Sequence, residues 1–348
     1  MPGVISRLYR GDINIDFVGK RKTWYGLSMF LLAVSILGLA LHGLNLGVEF
    51  RGGSVFDFKR TPGSSLEQVR ETVADAGVHQ VIVQQAGPNW RVTTESLKGD
   101  EVTKVQQTVA QKYGIQEEQV SSQVIGATWG GEVSQKAWIG LVVFMIAIML
   151  YLSVAFEWRM ALAAIVALVH DLVITAGVYA WSGFEVTPAT MLGFLTILGY
   201  SLYDAVVVFD MIKEVTGKLG TSAKMTYTQA ANNALSHTLI RSLNTSLVAI
   251  LPVAAILFIG TTLLGAGTLK DLSLALFVGM IVGTYSSLCV ATPILVTLKE
   301  REPKWQALAQ RVHAKEASAA KAARAAKEPV SAGSQNVTTT TTEKRKKR

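Results

Sequence analysis

Six long apolar stretches set the fold class. They run roughly over residues 24–44, 137–156, 160–181, 189–212, 242–264 and 272–298. At 1.5 Å of rise per residue, about 20 apolar residues carry a helix across a hydrocarbon core of about 30 Å. Each stretch reaches or approaches that length, and residues 137–156, 242–264 and 272–298 hold no charged side chain. A soluble domain explains one such buried helix, not six. Composition agrees, with 50% hydrophobic and only 17% charged residues, where soluble proteins carry about a quarter charged. A purely soluble enzyme is excluded. The single cysteine, Cys289, leaves no internal disulfide and no multi-cysteine metal site. Neither a cofactor nor a metal is expected.

The pattern predicts a mostly α membrane protein: six transmembrane helices with one external α+β domain between helices 1 and 2. Lys20, Arg21 and Lys22 precede the first stretch as in a signal peptide. Its apolar run exceeds the roughly 7–15 residues of a signal core, and no small-residue cleavage site follows, so it reads as a retained first helix. Orientation follows from Lys and Arg. They gather in residues 1–23, at Arg159, through 213–241 (a loop and the start of helix 5) and in the tail 299–348, whereas 182–188 has none and 261–271 only Lys270. Both termini are therefore expected in the cytoplasm of a multi-pass plasma-membrane protein, with residues 45–136 outside.

Within that outer segment, β-branched content and partial alternation predict strands at 54–58, 80–85, 90–94 and 119–125. Helices are expected at 66–76, opened by the capping-box pair Ser65 and Gln68, and at 100–113. The order β-α-β-β-α-β suits a ferredoxin-like sandwich. It contains no Walker loop, HExxH or G-x-G-x-x-G motif, and no enzyme activity is expected. The formal net charge of +8 sits in the tail, which holds 13 basic and 5 acidic residues from Lys299 onward. That is a solvated, disordered tail with transient helix in its alanine-rich part, or one that touches anionic lipid. No nucleic-acid partner is expected.

Ionisable residues at membrane depth need a reason, because each costs about 2.5–3.5 kcal/mol even on a lenient scale. Helix 3 carries His170 and Asp171 at its midpoint, and helix 4 carries Asp204, with Tyr200 and Ser201 on the same face. Helix 5 offers Asn233, His237, Arg241, Asn244 and Thr245 at helical spacing, with Arg241 the nearby cation. Two readings stand: a fixed Asp204–Arg241 pair that locks helices 4 and 5, or a proton relay. Buried pairs stabilise weakly. A carboxylate loses its charge on desolvation and keeps it beside a guanidinium, so a helix movement that changed the Asp204–Arg241 distance would change whether a proton is held. Gly279 and Gly283 form a small-xxx-small pattern for close helix packing in helix 6.

Several segments together resemble one family. They are LGVEFRGG (46–53), ALVHD (167–171), GYSLYDAVVVFD (199–210), HTLIRSLNTS (237–246), GTYSS (283–287) and Ala291-Thr-Pro293. Over roughly residues 10–300 the chain resembles the SecD/SecF protein-export membrane proteins, in the position of the SecF half. The resemblance implies the fold of the resistance-nodulation-division transporters and pairing with SecD beside the SecYEG channel. It further implies use of the proton gradient to draw preproteins across the membrane. On that basis Asp204 matches the family's proton-carrying aspartate and Arg241 its arginine partner. Three positions depart from the family pattern: Tyr203 replaces asparagine, Met211 replaces arginine, and Glu49 replaces aspartate. The alternative function is half of a proton-driven small-solute or lipid exporter of the same superfamily, which should carry a larger external domain.

Overall fold

The structure is a computed structural model that describes residues 16–221, 225–260 and 267–327. The chain enters through α1 (Arg21–His42), a short strand β1 (Asn45–Leu46) and one helical turn, α2 (Val48–Arg51). An α/β domain follows: β2 (Gly53–Lys59), α3 (Leu66–Asp75), β3 (Val81–Ala86), β4 (Asn89–Thr94), α4 (Gly99–Tyr113) and β5 (Ser121–Ile125). Then come α5 (Ala127–Ala155), α6 (Trp158–Ser182), strand β6 (Glu185–Val186), α7 (Pro188–Gly217), α8 (Tyr227–Ala255), α9 (Gly267–Ser286), α10 (Thr292–Lys299) and α11 (Pro303–Lys327). Six helical spans are long and apolar enough to cross a membrane: α1, α5, α6, α7, α8 with its continuation to Gly260, and α9 running into α10.

Strands β2 to β5 form an antiparallel sheet in the order β3-β4-β2-β5. One face packs on α3 and α4, burying Phe56, Phe58, Val69, Val92, Val105 and Val109. Ser65 caps α3: its hydroxyl accepts from the Gln68 amide at 3.2 Å while the Gln68 side chain accepts from the Ser65 amide at 3.1 Å. A two-residue parallel ladder ties the domain's root to the helices, pairing Asn45 with Glu185 and Leu46 with Val186.

In the bundle, α6, α7 and the α9–α10 span are each about half buried, and α1, α5 and α8 much less. Small residues set the closest approaches. A Cβ on Gly279 of α9 would overlap the Ile197 side chain of α7, and one on Gly283 would lie 3.0 Å from Ser201 Cβ. Both α8 and the α9–α10 span contain a π-helical turn, at Ile256–Gly260 and Ser287–Ala291. Pro252 and Pro293 lie in the same helices. Pro293 removes one main-chain donor and crowds the turn before it, which is where the Ser287–Ala291 π turn lies.

One expectation needs correction. Residues 303–327 are helical rather than disordered: their Ala, Lys, Arg and Gln content favours helix, and Trp305 and Val312 are buried. The fifth helix begins at Tyr227, ahead of the apolar run at 242 as expected for the end of the 213–241 segment, and Thr226 and Gln229 form its capping box. The expected tail residues 328–348 and the start of the chain, 1–15, lie outside the described residues.

Candidate functional site

Two carboxylates lie inside the bundle at mid-membrane depth. Asp204 is about 20 Å from the Gly217 end of α7 at 1.5 Å per residue. It is 5% exposed, and Asp171 of α6 is fully buried. Neither meets a cation from another helix among the described residues.

Serines hold them instead. Asp204 accepts from the Ser242 hydroxyl of α8 at 2.5 Å and from the Ser287 hydroxyl. Asp171 accepts from Ser201 of α7 at 2.6 Å and from Ser286 of α9 at 2.7 Å, both at Oδ2. Its Oδ1 lies 3.1 Å from Nδ1 of His170, whose Nε2 is buried and unpartnered among the described residues. Ser286 and Ser287 stand where α9 passes into the π turn, so one helix end serves both acids. A separate hydroxyl chain links α7, α8 and α9: Tyr200 donates to Ser246 at 2.8 Å, and Ser246 lies 2.7 Å from Thr284.

The Asp204–Arg241 contact expected from spacing is not made. Arg241 lies on the exposed face of α8, where its guanidinium donates to the Tyr203 hydroxyl at 3.4 Å. Asn244 shares that face, and the Thr245 hydroxyl bonds back to the Arg241 carbonyl at 2.9 Å. The inward stripe of α8 is one residue out of step with the expected one: Thr238, Ser242 and Ser246 are buried. The structure thus brings together Asp171, His170, Ser201, Asp204 and Tyr200, and leaves Arg241, Asn244 and Thr245 outside. Sequence reasoning missed Ser242, Ser246, Thr284, Ser286 and Ser287. Serine inside an apolar run carries little signal, since its hydroxyl is often satisfied by its own helix. The adjacent pair at 286–287 was the visible clue.

This arrangement suits a carboxyl group that alternates between two protonation states. A serine hydroxyl donates to a carboxylate and accepts from a carboxylic acid, so both states are hydrogen-bonded without moving a heavy atom. A guanidinium, which only donates, cannot do this.

The fold and site define a polytopic membrane protein with two acids buried among its helices. Comparison with known proteins narrows that class. A family model described as "Protein export membrane protein SecD/SecF, C-terminal" matches residues 104–301, and "SecD/SecF GG Motif" matches 38–62, which contain Gly52 and Gly53. The chain belongs to the SecD/SecF family of protein export membrane proteins. It is 46% identical over 316 residues to "Protein translocase subunit SecF" of Streptomyces coelicolor, covering 90% of this chain and 85% of that protein. With the SecF subunit of Mycobacterium tuberculosis H37Rv it shares 40% identity, covering 85% of this chain and 70% of the relative. The crystal structure of SecDF from Thermus thermophilus, titled a translocon-associated membrane protein, superposes with a TM-score of 0.77 at 30% identity. It covers 84% of this chain, which spans 39% of that longer one.

Proposed function

We propose that the chain is the SecF-type accessory subunit of the Sec translocase, working with a SecD subunit to couple proton flow to preprotein export beside the SecYEG channel. In this reading it lies in the plasma membrane with both termini cytoplasmic. The α/β domain, a ferredoxin-like sandwich by its strand order 4-1-3-2 about the domain's own strands, stands on the outer face. No step of this work is enzymatic.

One observation carries the coupling: Asp204 and Asp171 sit at membrane depth within hydroxyl cages assembled from different helices. A proton on either acid changes which way the serines point, and through them how tightly α6, α7, α8 and α9 are tied. A charge moved across the whole membrane gains about 2.3 kcal/mol per 100 mV, enough to bias two packings of the bundle. Pairing with SecD is supported by the fused SecDF relative and by the open face of α8. Arg241 lies beside Ser242, which bonds Asp204, so its charge stands at mid-membrane depth on an uncovered surface. Lipid does not tolerate that; a partner subunit carrying a carboxylate does.

The test is Asp204→Asn in cells that depend on this subunit. Gradient-dependent secretion should be lost while the protein still assembles with its partner. Normal secretion by that variant would remove the relay role from Asp204.

A further inference from the structure

A second acidic site lies away from the bundle's centre, where the α/β domain meets the helix ends. A cavity of about 310 Å³ separates the sheet face not covered by α3 and α4 from the β6–α7 junction. Asp57 and Arg91 enter it from the sheet; Glu49, Glu185 and Asp271 enter it from the helix side. Arg91 is already committed, since its Nε and Nη2 donate to the two Asp57 oxygens at 3.1 and 3.3 Å. Glu49, Glu185 and Asp271 therefore remain without an ion pair among the described residues. The most telling is Glu185: it is 9% exposed, lines the cavity, and its carboxylate has no hydrogen bond or ion pair among the described residues. The β1–β6 ladder fixes it there by its backbone pairing to Asn45. Enclosure of the side chain weakens the hydration of its charge, and no protein donor replaces that water, whereas Asp171 and Asp204, the other buried acids among the described residues, are both hydrogen-bonded.

We propose that this cavity is a recognition site for a basic side chain, the ammonium of lysine or the guanidinium of arginine, presented by an extended polypeptide. No three acidic, His or Cys side chains among the described residues are close enough together to ligate one metal ion, so the charge is spread for a larger cation with several N–H donors. Such a group can bond Glu185 while reaching Glu49 or Asp271 across the cavity. The rim includes Gln123 of β5, and β5 is the outer strand of its sheet. An extended chain lying along such an edge turns alternate side chains toward the cavity mouth. The inference rests on the translocase reading only for the source of that polypeptide.

The charge balance gives the site a pH dependence. Burial pushes the Glu185 carboxyl up to about 7; Arg91 opposes this, and Asp271, Glu49 and Asp57 add to it. A cation prefers the ionised form, so binding strengthens as pH rises through about 7 and weakens below it.

The experiment uses the full chain in lipid nanodiscs and fluorescent nine-residue Ser/Thr peptides that differ only at the central residue: Lys, Arg, norleucine or Glu. Lys and Arg peptides should bind about tenfold more tightly than norleucine, the scale of one charge-assisted hydrogen bond. Glu185→Gln should close most of that gap, and Asp271→Asn, the second variant should the first fail to fold, should narrow it. Equal binding of Lys and norleucine peptides, or an undiminished gap in a folded Glu185→Gln protein, overturns the proposal. So does loss of the gap when a SecD subunit is co-reconstituted, because a partner side chain then fills the cavity. Asp204→Asn should keep the gap intact, so failure of the relay and failure of this site are read separately.

Discussion

Ser286 and Ser287 are neighbours in the chain, yet their hydroxyls serve different acids, Asp171 and Asp204. Hydrogen bonds to charged groups contribute about 1.5–3 kcal/mol each, so either serine is worth roughly tenfold or more in the poise of its own carboxylate. The geometry predicts a pairwise pattern in a double-mutant cycle on export rate. Ser287→Ala should slow export about tenfold by itself and add nothing in an Asp204→Asn background. Ser286→Ala should couple to Asp171 instead, and equal coupling of both serines to Asp204 would contradict the separate cages. Glu185 gives a second test at this scale. Its carboxyl holds a proton in the folded protein up to about pH 7, against an ordinary value of 4.5, with burial the main cause. The folded state therefore binds more protons than the unfolded one between those values. Stability should fall as pH rises from about 4.5 to about 7 and level off above. Thermal melting of Glu185→Gln should show that slope reduced and the protein more stable at pH 8.

At the scale of elements, what could be read in advance is what depends on local signals. The four strands and two helices of the α/β domain follow from β-branched runs and from Ser65 and Gln68, whose reciprocal cap forms as drawn. Ser65→Ala should cost that helix about 1 kcal/mol, measurable as a lower melting temperature with export retained. The face that α8 turns inward could not be read. Polar residues recur on two adjacent stripes, one through Thr238, Ser242 and Ser246 and one through His237, Arg241 and Asn244–Thr245. Helical spacing alone does not rank them. The charged stripe drew attention because charge in a membrane demands a partner, but the inward stripe is the smaller one, through Thr238, Ser242 and Ser246, which are buried. The π turn at Ser287–Ala291 was hidden for a related reason: Pro293 announces a break in the helix without saying which residues the break re-aims. Gly279 ties this element to the site. Gly279→Leu should push α9 off Ile197 of α7, carrying Ser286 and Ser287 away from their acids. Overpacking of this kind costs about 1–3 kcal/mol, and export should fall with it although no acid is touched.

For the whole molecule, the uneven burial of its spans says where it is incomplete. The α8 span is 17% buried and presents Leu247, Val248 and Leu251 outward beside Arg241 and Tyr203. The α1 and α5 spans are as bare, but their outward residues, such as Phe30, Val142 and Val143, are apolar, so lipid covers them without penalty. Among the described residues, only the α8 face combines an apolar surface with a charge at mid-membrane depth. A second membrane subunit should therefore seat on α7 and α8 and leave α1 and α5 to the bilayer. The sole native cysteine, Cys289, is buried, which keeps the background for cysteine cross-linking low. With a SecD subunit carrying cysteines on its corresponding helices, Val248→Cys should cross-link efficiently and Val142→Cys should not. Arg241→Ala should weaken the Val248→Cys cross-link as well as export, because the charge that calls for a partner is gone. Cross-linking from Val142→Cys in place of Val248→Cys would put the partner on the opposite side of the bundle and leave Arg241 facing lipid, a placement that its desolvation cost rules against.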